Sequence, residues 1–246
     1  APQNYTANVT RDGTNTIWDL RHGEWSMPGV GRMKNPVKKT TLQAINSEGE
    51  VLKSLELLAI ANIGALPVES TINTDTSWNI RERAITITND VTIASGVRLS
   101  IGPGTVVLLE AGNTLTVNGS LEISGNPEDP TYFMPRSSDA DWHIQVLGAN
   151  GSMTVSNAHF LGGRISVSGD ASLQIEDSIL EYSQHTEGII SSSEGGSLHL
   201  RRSIVRDFWK TRFESSPTLI EECLFEDMKI SILNSNLNSR LTIEIQ

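Results

Sequence analysis

The chain carries a single cysteine, Cys223, in 246 residues. No disulfide can close within it, and no cage of thiolates can hold a metal. It has no run of about 18 apolar residues, so no stretch reads as a membrane-spanning helix. Basic residues are scarce. Nineteen Lys and Arg against 29 Asp and Glu give a formal net charge of −10 and a pI near 5.0. Such a chain repels phosphate backbones and anionic headgroups, which argues against a nucleic-acid partner and against charge-driven docking on lipid. Also missing are the H-E-x-x-H pair of zinc hydrolases and a nucleophile elbow. Gly29-Val30-Gly31 lacks the strand-to-helix setting of a phosphate loop. From residue 84 onward no helical period interrupts the pattern, which excludes βαβ folds, and the strands are too short for an immunoglobulin-like sandwich.

What the sequence does contain is a repeat. Val155-Ser156-Asn157-Ala158-His159-Phe160 returns as Ile175-Glu176-Asp177-Ser178-Ile179-Leu180, then as Leu200-Arg201-Arg202-Ser203-Ile204-Val205 and Ile220-Glu221-Glu222-Cys223-Leu224-Phe225. The copies are spaced by 20, 25 and 20 residues. Repeats of this period, rich in short β runs, signal one supersecondary unit stacked on itself. In a parallel coil, equivalent residues of successive rungs lie about 4.8 Å apart, so an inward position becomes a column. Val155, Ile175, Leu200 and Ile220 are expected to form one apolar column, and Phe160, Leu180, Val205 and Phe225 a second. Ile165, Val167, Ile230 and Ile232 fit a third face. Ala158, Ser178, Ser203 and Cys223 mark a bend with room only for small side chains, so Cys223 reads as a buried small residue. Outside, Glu176-Arg201-Glu221, Asp177-Arg202-Glu222 and Glu181-Arg206-Glu226 alternate in sign from rung to rung, as ladders that set register would.

Two regions are expected: residues 1–80, an arm, hairpin and cap, and residues 81–246, the coil of about seven rungs. In the first, Thr41-Leu42-Gln43-Ala44-Ile45 and Val51-Leu52-Lys53-Ser54-Leu55-Glu56-Leu57 flank a turn-rich segment and predict a hairpin; a helix over 51–62 is the rival reading. Residues 64–80 read as a linker. Trp18 and Trp25 bracket Arg21, His22 and Glu24, which suggests a cap over the end of the coil or a sugar-stacking site. Arg32, Lys34, Lys38 and Lys39 read as a solvated cationic turn.

Between residues 97 and 160 the chain resembles secreted right-handed parallel β-helix proteins of the pectate-lyase-like superfold. The resemblance rests on Gly96-Val97-Arg98-Leu99-Ser100-Ile101-Gly102-Pro103-Gly104-Thr105-Val106-Val107, on Leu115-Thr116-Val117-Asn118-Gly119-Ser120-Leu121, on Pro130-Thr131-Tyr132-Phe133 and on Asp141-Trp142-His143-Ile144. It implies an all-β, right-handed parallel β-helix and an extracellular or cell-surface location. It is specific for fold and poor for activity, because this fold carries lyases, hydrolases, adhesins and inert stalks.

Candidate chemistry is sparse. Tyr182, His185 and Glu187 fill the longer repeat, beside Asp207, Lys210 and Arg212 one rung on. Lys210 or His185 as base and Arg212 as charge neutraliser is a set suited to proton abstraction beside a uronate. Asp139, Asp141 and His143 have the alternate spacing of one strand face and are weak metal candidates. Asp170, Glu176 and Asp177 offer oxygen to calcium but lack a Gly-Asp repeat loop. Sequons at Asn4, Asn8, Asn118 and Asn150 are no more than chance supplies in a chain this rich in Asn, Ser and Thr. No cofactor is implied. The opening Ala1-Pro2-Gln3 suits a mature secreted protein after signal removal and equally a trimmed chain. Leu241, Ile243 and Ile245 form a strand that would leave a rung uncovered, so the leading expectation is a non-catalytic structural coil that associates with itself through that rung and its N-terminal segment. A lyase on acidic polysaccharide and a glycan-binding adhesin are the alternatives.

Overall fold

The computed structural model describes the backbone of residues 8–12, 15–19, 37–45, 51–60, 66–80, 84–136, 141–181, 189–206, 210–214, 217–226, 229–233 and 243–245. It describes the side chains of 66–80, 84–136, 141–181, 189–206, 212–214 and 217–226. The chain divides into two compact units, Ala1–Met33 and Lys34–Gln246. In the smaller, Asn8–Asp12 pairs antiparallel with Asn15–Asp19.

The larger unit contains a parallel β-solenoid of about 6 turns built from three sheets. Each turn visits the sheets in one order, for example Ala158–Leu161 in the first, Arg164–Ser168 in the second, Ser172–Glu176 in the third, then Ile179–Glu181 back in the first. The first sheet has nine strands, from Leu66–Pro67 to Ile243–Ile245. The second has eight, from Thr71–Ile72 to Lys229–Leu233, and the third seven, from Thr76–Trp78 to Thr218–Glu221. About six turns is close to the seven rungs expected. Residues 66–78, read as a linker, form the first of these turns: Leu66 pairs with Ile85, Thr71 with Thr92, and Thr76 with Leu99.

The columns stand as the repeat implies. Val155 lies over Ile175, Ile175 over Leu200 and Leu200 over Ile220; the file extends back through Ile123 and Ile101 to Trp78. Phe160, Leu180, Val205 and Phe225 stack in the first sheet, with Phe133 and Val107 beneath them. Phe133 and Phe160 stack ring on ring, centroids 5.0 Å apart. In the second sheet Ile144, Ile165 and Ile190 form one file, and Phe213 pairs with Ile232. Those inward residues whose side chains are described make one continuous core. Each fully buried Ile, Leu or Phe in it contributes about 1.5–3 kcal/mol relative to exposure. Trp142, 1% exposed, lies against Gly163, where φ is +67° and a Cβ would overlap the indole. That position admits only glycine.

The bend from the third sheet to the first is the most regular joint in the coil. Asn157, Asp177, Arg202 and Glu222 all adopt the left-handed conformation, with φ between 44° and 54°. Such residues cost about 1–2 kcal/mol each without glycine's freedom, so something must hold them. At three of the four bends the small residue that follows does. Ser178 Oγ donates to Glu176 O at 2.7 Å and accepts the N–H of Ala158 at 3.1 Å. Ser203 Oγ donates to Arg201 O at 2.8 Å and accepts the N–H of Ser178 at 3.2 Å. Cys223 Sγ donates to Glu221 O at 3.2 Å. The repeated small position is therefore a hydrogen-bond ladder as well as a tight fit.

The predicted hairpin is present and longer than expected. Val37–Ile45 pairs antiparallel with Val51–Ile60, with a bulge between Ala44 and Ile45, and the helical alternative for this segment is set aside.

Candidate functional site

The densest set of interacting polar side chains lies on the outside of the first sheet. His159 Nε2 meets Glu181 Oε1 at 2.7 Å, and both side chains are 11% exposed. Arg206 reaches Glu181 at 3.4 Å and also pairs with Glu226 one rung on. The Tyr132 ring lies tilted against the His159 ring, centroids 5.9 Å apart. The backbone register dictates the set, since Leu161 pairs with Glu181, Glu181 with Arg206 and Arg206 with Glu226. Burial pushes the Glu181 carboxyl up, but the hydrogen bonds and charges of His159 and Arg206 outweigh it and hold it below the usual carboxylate range. A carboxylate so depressed is a poor general base near neutral pH. The arrangement locks rungs together rather than holding a proton ready to move.

The second ladder is exposed. Arg202 donates to Asp177 at 2.7 and 2.6 Å and to Glu176 at 2.9 Å, which lowers the Asp177 carboxyl and raises the guanidinium. Arg201 lies 3.9 Å from Glu221, whose other neighbour is His199 at 3.2 Å. Two of the sign-alternating columns thus stand in the expected vertical order, Glu176 over Arg201 over Glu221 and Glu181 over Arg206 over Glu226, and in the third Arg202 binds Asp177. Glu176 and Asp177, weighed as calcium ligands, are engaged by Arg202 instead.

Of the catalytic candidates, Tyr182, His185, Glu187 and Asp207 lie outside the described residues. Lys210 opens the strand Lys210–Glu214, and Arg212, exposed on it, pairs with Glu214. Asp139 also lies outside the described residues, and Asp141 is exposed. His143 has both ring nitrogens occupied: Nε2 meets Ser166 Oγ at 2.7 Å, and Arg164 approaches Nδ1 at 3.3 Å. An arginine can only donate, so Nδ1 accepts and the proton sits on Nε2. That geometry directs neither nitrogen to a metal. Among the described residues no group of three His, Cys, Asp or Glu stands close enough to share an ion.

Cys223 is buried, and desolvation raises its thiol, which suits a packing role better than a reactive one. Asn118 is half-buried; Asn150 is exposed, its amide 3.3 Å from Ser95 Oγ. Asn8 begins a strand, and Asn4, Arg21, His22, Glu24, Trp25, Arg32, Lys34 and Leu241 lie outside the described residues. Sequence reasoning paired Glu181 with Arg206 and missed His159. The signal was the position of His159 one residue before the Phe160 column, on the outward face one rung below Glu181.

Fold and geometry together define the class: a parallel β-solenoid whose described charges are largely spent between its own rungs. Comparison of the chain with protein-family models, with curated proteins and with solved structures found no match.

Proposed function

We propose that this chain is a secreted or cell-surface structural β-helix, right-handed in its winding, that acts as a self-associating building block rather than as a catalyst. The observation that carries this reading is the use of its ionic groups. Glu176, Asp177, Glu181, Arg202, Arg206 and Glu226 are tied to one another along the coil axis. Groups held this way resist rearrangement around a substrate. Parallel strands also offer their edges along the same axis. Ile243–Ile245 pairs with Cys223–Glu226 on one side and is the outermost described strand of the first sheet. A strand edge presents unpaired backbone groups that a second molecule can complete. Ile243 and Ile245, with Leu241 before them, are the proposed contact residues, and the N-terminal segment is the proposed partner surface.

Sedimentation velocity across a hundredfold range of concentration tests the reading, with electron microscopy of the particles. The expected result is growth into oligomers or filaments that Ile243→Lys suppresses. A strictly monomeric parent contradicts self-association. Release of unsaturated products from alginate, pectate or a glycosaminoglycan, abolished by Lys210→Ala or His185→Ala, contradicts the non-catalytic reading and favours a lyase.

A further inference from the structure

The outside of the first sheet carries a second apolar cluster, separate from the core. Val106, Tyr132 and Met134 alternate with the inward Val107, Phe133 and Leu109, yet they are 0, 4 and 5% exposed. Ala84 belongs to the same cluster, and Leu108 and Leu161 pack against it. Thr86, also outward, is buried with a hydroxyl that has no hydrogen-bond partner. One chain alone buries these residues, so a segment of the same chain lies over them.

We infer that this segment is the antiparallel ribbon of Val37–Ile45 and Val51–Ile60, docked on the outer face of the first sheet. The tether places it there. Ile60 precedes Leu66 by six residues, and Leu66 opens the first strand of that sheet. Six residues reach at most about 20 Å, which confines the ribbon to that end of the coil. The length fits. Strands of 9 and 10 residues span about 30 Å, enough to lie over the rungs from Ala84 to Leu161 at about 4.8 Å each. The composition fits as well: the register pairs Leu42 with Leu55, and at the strand period of two Ala44, Leu57 and Ala59 fall at the same alternate positions. A two-stranded ribbon alone is marginal in water and needs a surface to pack on; the sheet has an apolar outside that needs a cover. The file of Val106 and Tyr132 continues through His159 to Ile179, Ile204 and Leu224, which are only half-buried, and that of Leu161 continues as Glu181, Arg206 and Glu226, so the cover thins towards the C-terminal rungs. This docking is independent of the axial association proposed above.

Amide hydrogen exchange on the full-length chain tests it. In the parent, amides of 37–45 and 51–60 are expected to be protected at every protein concentration. In Val106→Asp their protection falls by about tenfold or more, while amides of 114–117 and 152–156 keep theirs. Thr154→Asp, on the polar outside of the third sheet, leaves the ribbon unchanged. Ribbon amides that exchange at free-peptide rates in the parent overturn the inference, as does protection unaltered in Val106→Asp. Protection that grows with concentration assigns the cover to a second copy and overturns it too. Should Val106→Asp lose the coil itself, Leu55→Asp decides: a hydrophobic dye is expected to bind the uncovered cluster with the coil intact, and no dye binding overturns the docking.

Discussion

The outer face of the first sheet, in its N-terminal rungs, and that of the third are built on opposite rules, although their inner faces are interchangeable. On the third sheet, Arg98, Ser100, Glu122, Thr154, Gln174, His199 and Arg201 alternate with buried Leu99, Ile101, Ile123, Met153, Leu173, Leu198 and Leu200, and Leu219 is an apolar exception. On the first, Val106, Leu108, Tyr132, Met134 and Leu161 stand outward in the N-terminal rungs, while further along His159, Glu181, Arg206 and Glu226 stand outward beside Ile179, Ile204 and Leu224. The coil requires only its inner columns. A sheet with one face in water alternates, and one buried on both faces reads as a continuous apolar run. The difference therefore describes what lies outside each sheet: solvent at the third, protein at the N-terminal rungs of the first, where the apolar cluster stands.

Substitutions on the two faces break or sharpen that contrast. Tyr132→Ala on the first sheet is expected to cost about 3–4 kcal/mol, a large buried ring removed, whereas Gln174→Ala on the third stays within about 0.5 kcal/mol; chemical denaturation measures both. Glu181→Gln comes next, at about 2–3 kcal/mol, because it leaves His159 and Arg206 facing a neutral amide in a half-dry site. The sign with pH follows. The folded carboxyl titrates below the ordinary glutamate value of 4.5, so its contribution is complete above that pH and is lost as pH falls through the folded value. The Glu181→Gln chain should accordingly lose less stability than the parent as the pH falls below about 4.5.

Ser178→Ala, at the bend that joins the two faces, removes an acceptor for the Ala158 N–H and should cost about 1–2 kcal/mol. Cys223→Ser keeps that ladder and should change stability by less than about 0.5 kcal/mol. Smallest is Arg202→Gln on the exposed ladder, about 0.5 kcal/mol or less and vanishing in high salt, since water and ions screen such pairs. A loss at Arg202 as large as that at Glu181 would show that the two faces do not differ as described.

The coil was legible because a strand has period two and the rung has a nearly constant length, so Val155, Ile175, Leu200 and Ile220 align on paper as they do in space. The bend was legible only as a demand for small residues. Its hydroxyl ladder is a matter of direction, which composition does not carry. Residues 66–78 escaped because strands of two or three residues hold too few positions to display a period. The covered outside of the first sheet did leave a trace. Val106-Val107-Leu108-Leu109 and Tyr132-Phe133-Met134 are unbroken apolar runs where the other sheets alternate, the mark of a strand buried on both faces. His159 and Glu181 meet diagonally across 22 residues, a relation visible only after the register is known.

A lysine placed on each outer face in turn tests the central contrast most directly. Val106→Lys, Gln145→Lys and Thr154→Lys sit outward on the first, second and third sheets. Thermal and denaturant unfolding should show Val106→Lys destabilised by about 3–5 kcal/mol, the cost of an unpaired charge under a cover, and the other two within about 0.5 kcal/mol of the parent. Equal, small effects at all three positions would contradict this and mean that the first sheet faces water like its neighbours.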